Sequence, residues 1–225
     1  MNKFAVLGVG KYGSTIARRL AEKGAQVFAF DCVEDKIEAI KDDVAFAVTL
    51  DTTDVKALKS QNIVEVDAAI VAIGENFEAT VLTAVHLMDL GIKRIIARAG
   101  GSQQKLILEK IGIKEILTPE EEVAFVVREQ LLNPSVISFL QLPDDYEIAE
   151  IKAPKGVMNR SIKDVSFRDV YKLTLVTIKS ESVVNGNVET HVVGVPSYEH
   201  LIKEKDTLVV FGTKQNVERF IEINE

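Results

Sequence analysis

The sequence predicts an α/β protein: a doubly wound parallel sheet followed by a second, smaller α+β domain. Three observations carry this. Residues 3–117 alternate short, β-rich apolar runs with helical patterns, the element order that builds a parallel sheet. Several of those runs are apolar throughout, as strands covered on both faces are. From Tyr146 the alternation stops, and strand candidates crowd around Asn185-Gly186, a strong type I′ turn signal.

Strands are expected at Phe4–Leu7, Val27–Asp31, Ala45–Thr49, Ala68–Ile73, Arg94–Ala97 and Glu115–Leu117. Helices are expected between them at Lys11–Lys23, Glu34–Lys41, Asp54–Ser60, Phe77–Leu90 and Gln103–Lys110. Gly24, Gly91 and Gly112 follow three of these helices as C-terminal caps do. Thr118-Pro119-Glu120 reads as the start of a further helix, with a cap, a proline at the first position and acids in the first turn. Asn133-Pro134 ends that helix near Leu132, and Ser135–Leu140 is a short apolar piece beyond the break. Leu142-Pro143-Asp144-Asp145 reads as a linker. The smaller domain is expected to hold strands at Glu147–Lys152, Leu173–Lys179, Val188–Val193 and Thr207–Phe211. Helices are expected at Ser161–Arg168 and Lys214–Ile221. The resulting division is 1–117, 118–145 and 146–225, which suits 225 residues.

Gly8-Val9-Gly10-Lys11-Tyr12-Gly13 is G-x-G-x-x-G, placed directly after the first strand and opening the first helix. In that context Gly8 permits the tight turn, Gly10 lets phosphate approach the backbone, and Gly13 lets the helix pack closely on the sheet. The free N–H groups of the helix end attract phosphate. Asp31 ends the second strand 18 residues beyond Gly13, where an acid accepts bonds from ribose hydroxyls. This is a Rossmann-like site for an adenine nucleotide.

Ligands on such sheets lie beyond the C-terminal strand ends, which brings further candidates into reach. Asp51 and Thr52 follow the third strand and either reach the adenine or belong to a helix cap at Asp51 or Thr53. Ala72, Ile73 and Gly74 end the fourth strand at the topological switch. Asn76 either contacts the nucleotide or caps the next helix. Arg98 ends the fifth strand and either meets phosphate or forms an outward salt bridge. Cys32, next to Asp31, is the chain's one cysteine. It is either a redox sensor or a passive loop thiol, and no basic neighbour in sequence lowers its pKa. Glu120, Glu121 and Glu122 either hold a cation or complement the helix N-terminus.

Absences narrow the function. The net charge of −7 lacks the basic footprint of nucleic-acid binding, which disfavours a DNA-binding redox repressor, and an anionic membrane surface would repel it. No apolar run is long enough to span a bilayer, so membrane attachment would go through a protein partner. Met1-Asn2-Lys3 leads straight into a strand-like run, so no signal peptide is expected and a cytoplasmic location is. His86, His191 and His200 make no metal-ligand set, and no nucleophile motif appears. A small NAD-dependent oxidoreductase is therefore the alternative reading, not the first, and the chain is expected not to be an enzyme.

The runs Phe4–Gly13, Val27–Asp31, Ala69–Gly74 and Leu108–Gly112 together resemble the RCK (regulator of K⁺ conductance) proteins, the KtrA/TrkA-type cytoplasmic subunits of potassium uptake systems. The resemblance covers essentially the whole chain: residues 1–117 as the RCK N-domain, about 118–142 as dimerising crossover helices, and 146–225 as the RCK C-domain. It implies regulation rather than catalysis. Dimers would assemble into a ring, typically an octamer, that docks on a membrane K⁺ channel or transporter. ATP against ADP, or NAD(H), would change the ring's shape. It places Lys11 where relatives carry an arginine that reaches the neighbouring subunit's nucleotide; lysine keeps the charge but loses the bidentate fork. It also implies an intersubunit cation at Glu120, and cyclic di-AMP at the C-domain, with Val176, Ile178, Val193 and Pro196 either lining that pocket or packing as ordinary strand residues. Independently, the apolar residues Val123, Phe125, Val126, Val127, Val136, Ile137, Phe139 and Leu140 predict self-association.

Overall fold

A computed structural model describes residues 2–184 and 187–225. The chain divides into two compact units, Met1–Val123 and Ala124–Glu225. The first holds β1 (Lys3–Leu7), α1 (Lys11–Glu22), β2 (Gln26–Asp31), α2 (Glu34–Glu38), β3 (Phe46–Thr49) and α3 (Val55–Ser60). It continues through β4 (Ala68–Val71), α4 (Phe77–Asp89), β5 (Ile95–Arg98), α5 (Ser102–Ile111) and β6 (Glu115–Leu117). All strand pairings are parallel, in the order β3-β2-β1-β4-β5-β6. The order reverses between β1 and β4, so the switch crevice opens beyond the carboxyl ends of these two strands. Both faces of the sheet are covered. Leu7, Phe30, Ala69 and Val71 pack toward Leu58, Leu87 and Leu108, and Val6, Val27, Ala29 and Ile70 pack toward Ala17, Ile37 and Ile40. That two-sided cover is the origin of the uninterrupted apolar strands.

Helix α6 (Pro119–Leu132) starts and stops where the Thr118-Pro119 and Asn133-Pro134 signals place its ends. The second unit carries β7 (Val136–Gln141), β8 (Tyr146–Lys152), α7 (Ile162–Val165), α8 (Phe167–Tyr171), β9 (Thr174–Val184), β10 (Asn187–Val192), β11 (Thr207–Thr213) and α9 (Lys214–Asn224). Its sheet is antiparallel, in the order β10-β9-β11-β8-β7. Its core joins Ile151, Leu173, Ile178, Leu208 and Val210 to Phe220 and Val217 of α9.

Two expectations change. The apolar piece after Pro134 is strand β7, and the supposed linker is the turn that pairs it with β8: Asp144 and Asp145 both adopt φ 58°, and Leu142 N–H donates to Tyr146 O at 2.7 Å. The single helix expected at 161–168 is two short ones, because Ser166 sits at φ 52° and breaks the run. The Asn185-Gly186 turn lies outside the described residues.

Candidate functional site

The glycine loop takes its shape from contacts that only glycine tolerates. Gly8 has φ 90°, and a Cβ there would stand 2.9 Å from the Ile73 N and Cγ1, a conformation and a clearance that favour glycine. A Cβ on Gly13 would collide with the Gly8 carbonyl oxygen. Gly10 differs from both: nothing lies within 4 Å of where its Cβ would be. It is the N-cap of α1, with no side-chain cap bond and no acid in the first turn. The first N–H groups of α1 thus have no capping side chain, with the positive end of the helix dipole behind them.

Asp31 is buried at the end of β2. Its Oδ2 accepts from Val9 N–H at 2.9 Å and its Oδ1 from Val33 N–H at 3.0 Å. The acid therefore ties the glycine loop to the turn after β2. Each oxygen retains a lone pair, so it can still accept a ribose hydroxyl. Lys36 stands 3.8 Å away. Cys32 follows, exposed. Lys11 is exposed at the first position of α1.

Arg98 ends β5 and joins three parts of the site. Its guanidinium lies over the Tyr12 ring at 5.4 Å, the geometry of a cation–π contact. It covers Gly74, where a Cβ would come within 2.5 Å of Nη1. Its Nη2 is ion-paired with Glu120 in the first turn of α6. Its Nε is buried and has no partner, an arrangement that invites an acceptor. Burial raises the Tyr12 pKa, with Glu122 adding to it and Arg98 opposing. The Glu120 pKa is lowered first by its own backbone N–H and then by Arg98. Arg98 and Glu120 were separately legible as candidates, but their pairing was not.

Other expected positions have local work. Asp51 accepts from both the N–H (2.9 Å) and the hydroxyl (2.7 Å) of Thr53, and the hydroxyl bond leads the lowering of its pKa. The cap of α3 is Asp54, not Asp51 or Thr53. The Thr52 side chain is buried, its hydroxyl 2.8 Å from that of Thr83. Asn76 caps α4, accepting from Ala79 N–H at 3.0 Å. Ala72 N–H donates to Leu7 O, which holds the β4 end against the loop. Among the described residues no three His, Cys, Asp or Glu side chains gather as a metal site would need, and Glu120 is engaged by Arg98. His86 Nε2 lies 3.0 Å from Thr53 O, a structural bond.

In the second unit Ile178 is fully buried in the core, so it does not line an open pocket. Val176 and Val193 are exposed and Pro196 is half-buried. Of the expected self-association residues, Val136 is buried and Phe139 packs on the core. Phe125 packs edge-on against Phe139 at 5.5 Å. Val123, Val126, Val127, Ile137 and Leu140 are exposed, together with Leu131 and Leu132, which the sequence reading did not single out.

Comparison with known proteins matches residues 4–119 to the TrkA-N domain model. Ktr system potassium uptake protein A of Bacillus subtilis is 33% identical over 97% of this chain and 95% of its own length. Protein C of the same system and organism is 31% identical over the same shares. A solved GsuK RCK domain superimposes with a TM-score of 0.66 at 15% identity, covering 99% of this chain. The chain spans about half of that one, 47%. A GsuK channel solved bound to NAD gives a TM-score of 0.63 at 16% identity, over 99% of this chain and 39% of that one.

Proposed function

The chain belongs to the TrkA-N domain family, and we propose on that footing that it is a nucleotide-sensing regulatory subunit of a membrane potassium channel or transporter. It acts through the shape of an oligomeric ring rather than through catalysis. Near end-to-end similarity to two Ktr system potassium uptake proteins supports this, and no helix among the described residues is long and apolar enough to cross a membrane.

The observation that carries the nucleotide reading is the uncapped α1 start at Gly10 together with the unpartnered Nε of Arg98, whose guanidinium lies over Tyr12 of the same loop. Phosphates fit against the N–H groups of the α1 start, with Arg98 as their counter-charge. Asp31 accepts from the ribose, and the Ala72–Gly74 backbone lines the crevice. ATP and ADP are the proposed ligands, and NAD(H) fits the same cradle through its pyrophosphate. Arg98 then touches both the ligand and Glu120, so occupancy bears on the start of α6. That helix carries the exposed Val123, Val126, Val127, Leu131 and Leu132, the surface proposed for dimerisation within the ring. A cation between subunits would have to draw Glu120 away from Arg98. A cyclic di-AMP site on the second unit would draw on Val176, Val193 and Pro196, without Ile178.

A ligand shifts a conformational equilibrium only by its differential affinity for the two states. The γ-phosphate supplies such a difference if Lys11 of one subunit meets the nucleotide of the next, a contact that exists in one arrangement only. Small-angle scattering with ATP and with ADP is expected to give different curves, and Lys11→Ala to bring them together while ADP affinity stays within about twofold. Superimposable wild-type curves would end the switch reading.

A further inference from the structure

We propose that the opposite end of the first unit's sheet holds a second, separate binding site, for a neutral heteroaromatic ring. A cavity of about 290 Å³ lies there, by the amino ends of β1 and β3 and against Phe28 and Phe30 of β2. The glycine loop follows the carboxyl end of β1. The cavity exists because the cover over this sheet edge is short. Helix α3 has six residues, and Asn62 at φ 52° turns the chain into a single 3₁₀ turn, Ile63–Glu65. The edge strand β3 is left partly bare.

Its apolar wall is aromatic. Phe28 and Phe46 pair across β2 and β3, with ring centroids 6.1 Å apart at 55°. Phe30 and Ile63 close the base and are both almost fully buried. Phe46 is 43% exposed, an aromatic face turned to water next to a concavity. Aromatic rings favour offset or edge-on contacts with another ring, and both orientations are offered here.

The rim decides the polarity. Lys3 Nζ and Glu65 Oε2 pair at 3.0 Å, so the two charges at the mouth offset each other and favour neither an anion nor a cation. The Gln61 amide, bonded to the Ser60 hydroxyl at 2.9 Å, and the Asn62 amide offer donors and acceptors together. Ligand pockets usually measure about 300–1,000 Å³. A cavity just below that range takes one ring system, not a nucleotide with its phosphates. A neutral heterocycle with a hydrogen-bonding edge matches both wall and rim.

The test uses the full chain and 5-fluoroindole, followed by fluorine NMR. Saturable binding at or below low-millimolar concentration is expected, unaffected by saturating ADP. Indole-3-acetate and tryptamine, the charged counterparts, should compete about fivefold more weakly than indole. Phe46→Ala should weaken the probe about fivefold or more, and Phe46→Leu, which keeps apolar bulk and guards against a folding defect, by less. Circular dichroism checks both variants. Displacement by ADP would place the ring in the nucleotide site and overturn the proposal. So would absence of saturable binding, equal affinity in both Phe46 variants and wild type, or stoichiometry that falls as protein concentration rises, which would mean that a second copy fills the cavity.

Discussion

The two units place their charged groups differently. In the first, the Rossmann-like one, polar groups gather at the carboxyl rim of the sheet and part of their capacity stays unused: the α1 start is uncapped and Arg98 Nε has no partner. In the second the main feature is a buried carboxylate held by an ion network, although Thr177 Oγ1 and His200 Nε2 are buried there without a partner. Glu129 of α6 is buried and bonded to Lys214 at 2.9 Å and to Arg128 at 2.5 Å, and Glu147 of β8 is buried close by. An unsatisfied rim is what a ligand site needs before the ligand arrives, whereas a paired interior charge fixes one packing. Substitutions should therefore separate stability from binding in the first unit and mostly change stability in the second.

The largest effect is expected at Gly13. Its Cβ would meet backbone, not a flexible side-chain end, so Gly13→Ala should cost about 3 kcal/mol or more through overpacking. Thermal unfolding would read this, and a melting temperature close to wild type would remove the close-packing account of the loop. Lys214→Met comes next. It leaves buried Glu129 with Arg128 and a long bond from the Asn133 amide at 3.4 Å, at an expected cost of about 1–3 kcal/mol, toward the lower end because Lys214 is partly exposed. The Lys214 bond leads the lowering of the Glu129 pKa. That stabilisation is present above the unfolded pKa and is lost as pH falls through the folded one. The difference between Lys214→Met and wild type should shrink on acidification.

Glu147 has the opposite sign and the smallest effect. Burial is the main cause that raises its pKa, with Glu218 and Glu129 adding to it and Lys214 opposing. A carboxylate whose folded pKa is raised costs stability at neutral pH, and the cost is relieved as pH falls through that folded pKa. Glu147→Gln should therefore raise stability at neutral pH, by no more than about 1 kcal/mol, and the gain should vanish at acid pH. A gain that grows on acidification would contradict the assigned cause.

The same contrast governs what the sequence revealed. The glycine loop, Asp31 and the six parallel strands were legible because their signals are local: a motif, a spacing and apolar runs that two-sided burial demands. The capping roles of Asp54 and Asn76 are also local, but Asp51 and Thr53 offered equally good cap chemistry beside Asp54. The ion network of the second unit left no such trace, since Glu129 and Lys214 are 85 residues apart. Strand β7 was hidden because six residues of mixed exposure carry no clear alternation, and its turn with β8 uses two left-handed aspartates where glycine or asparagine is the usual signal. Arg98 and Glu120 each stood out, yet only folding shows that one engages the other.

The central claim is that the α1 start is left uncapped for a ligand. Gly10→Ser tests it, because serine is a good N-cap and the space beside Gly10 is empty. The serine hydroxyl would accept from the N–H groups that phosphate needs. Calorimetric titration of ADP into wild type and Gly10→Ser, with a melting curve for each, reads both sides of the exchange. The account predicts that Gly10→Ser melts at or slightly above wild type and binds ADP about tenfold or more weakly. Equal ADP affinity in the two proteins, with Gly10→Ser folded, would contradict it.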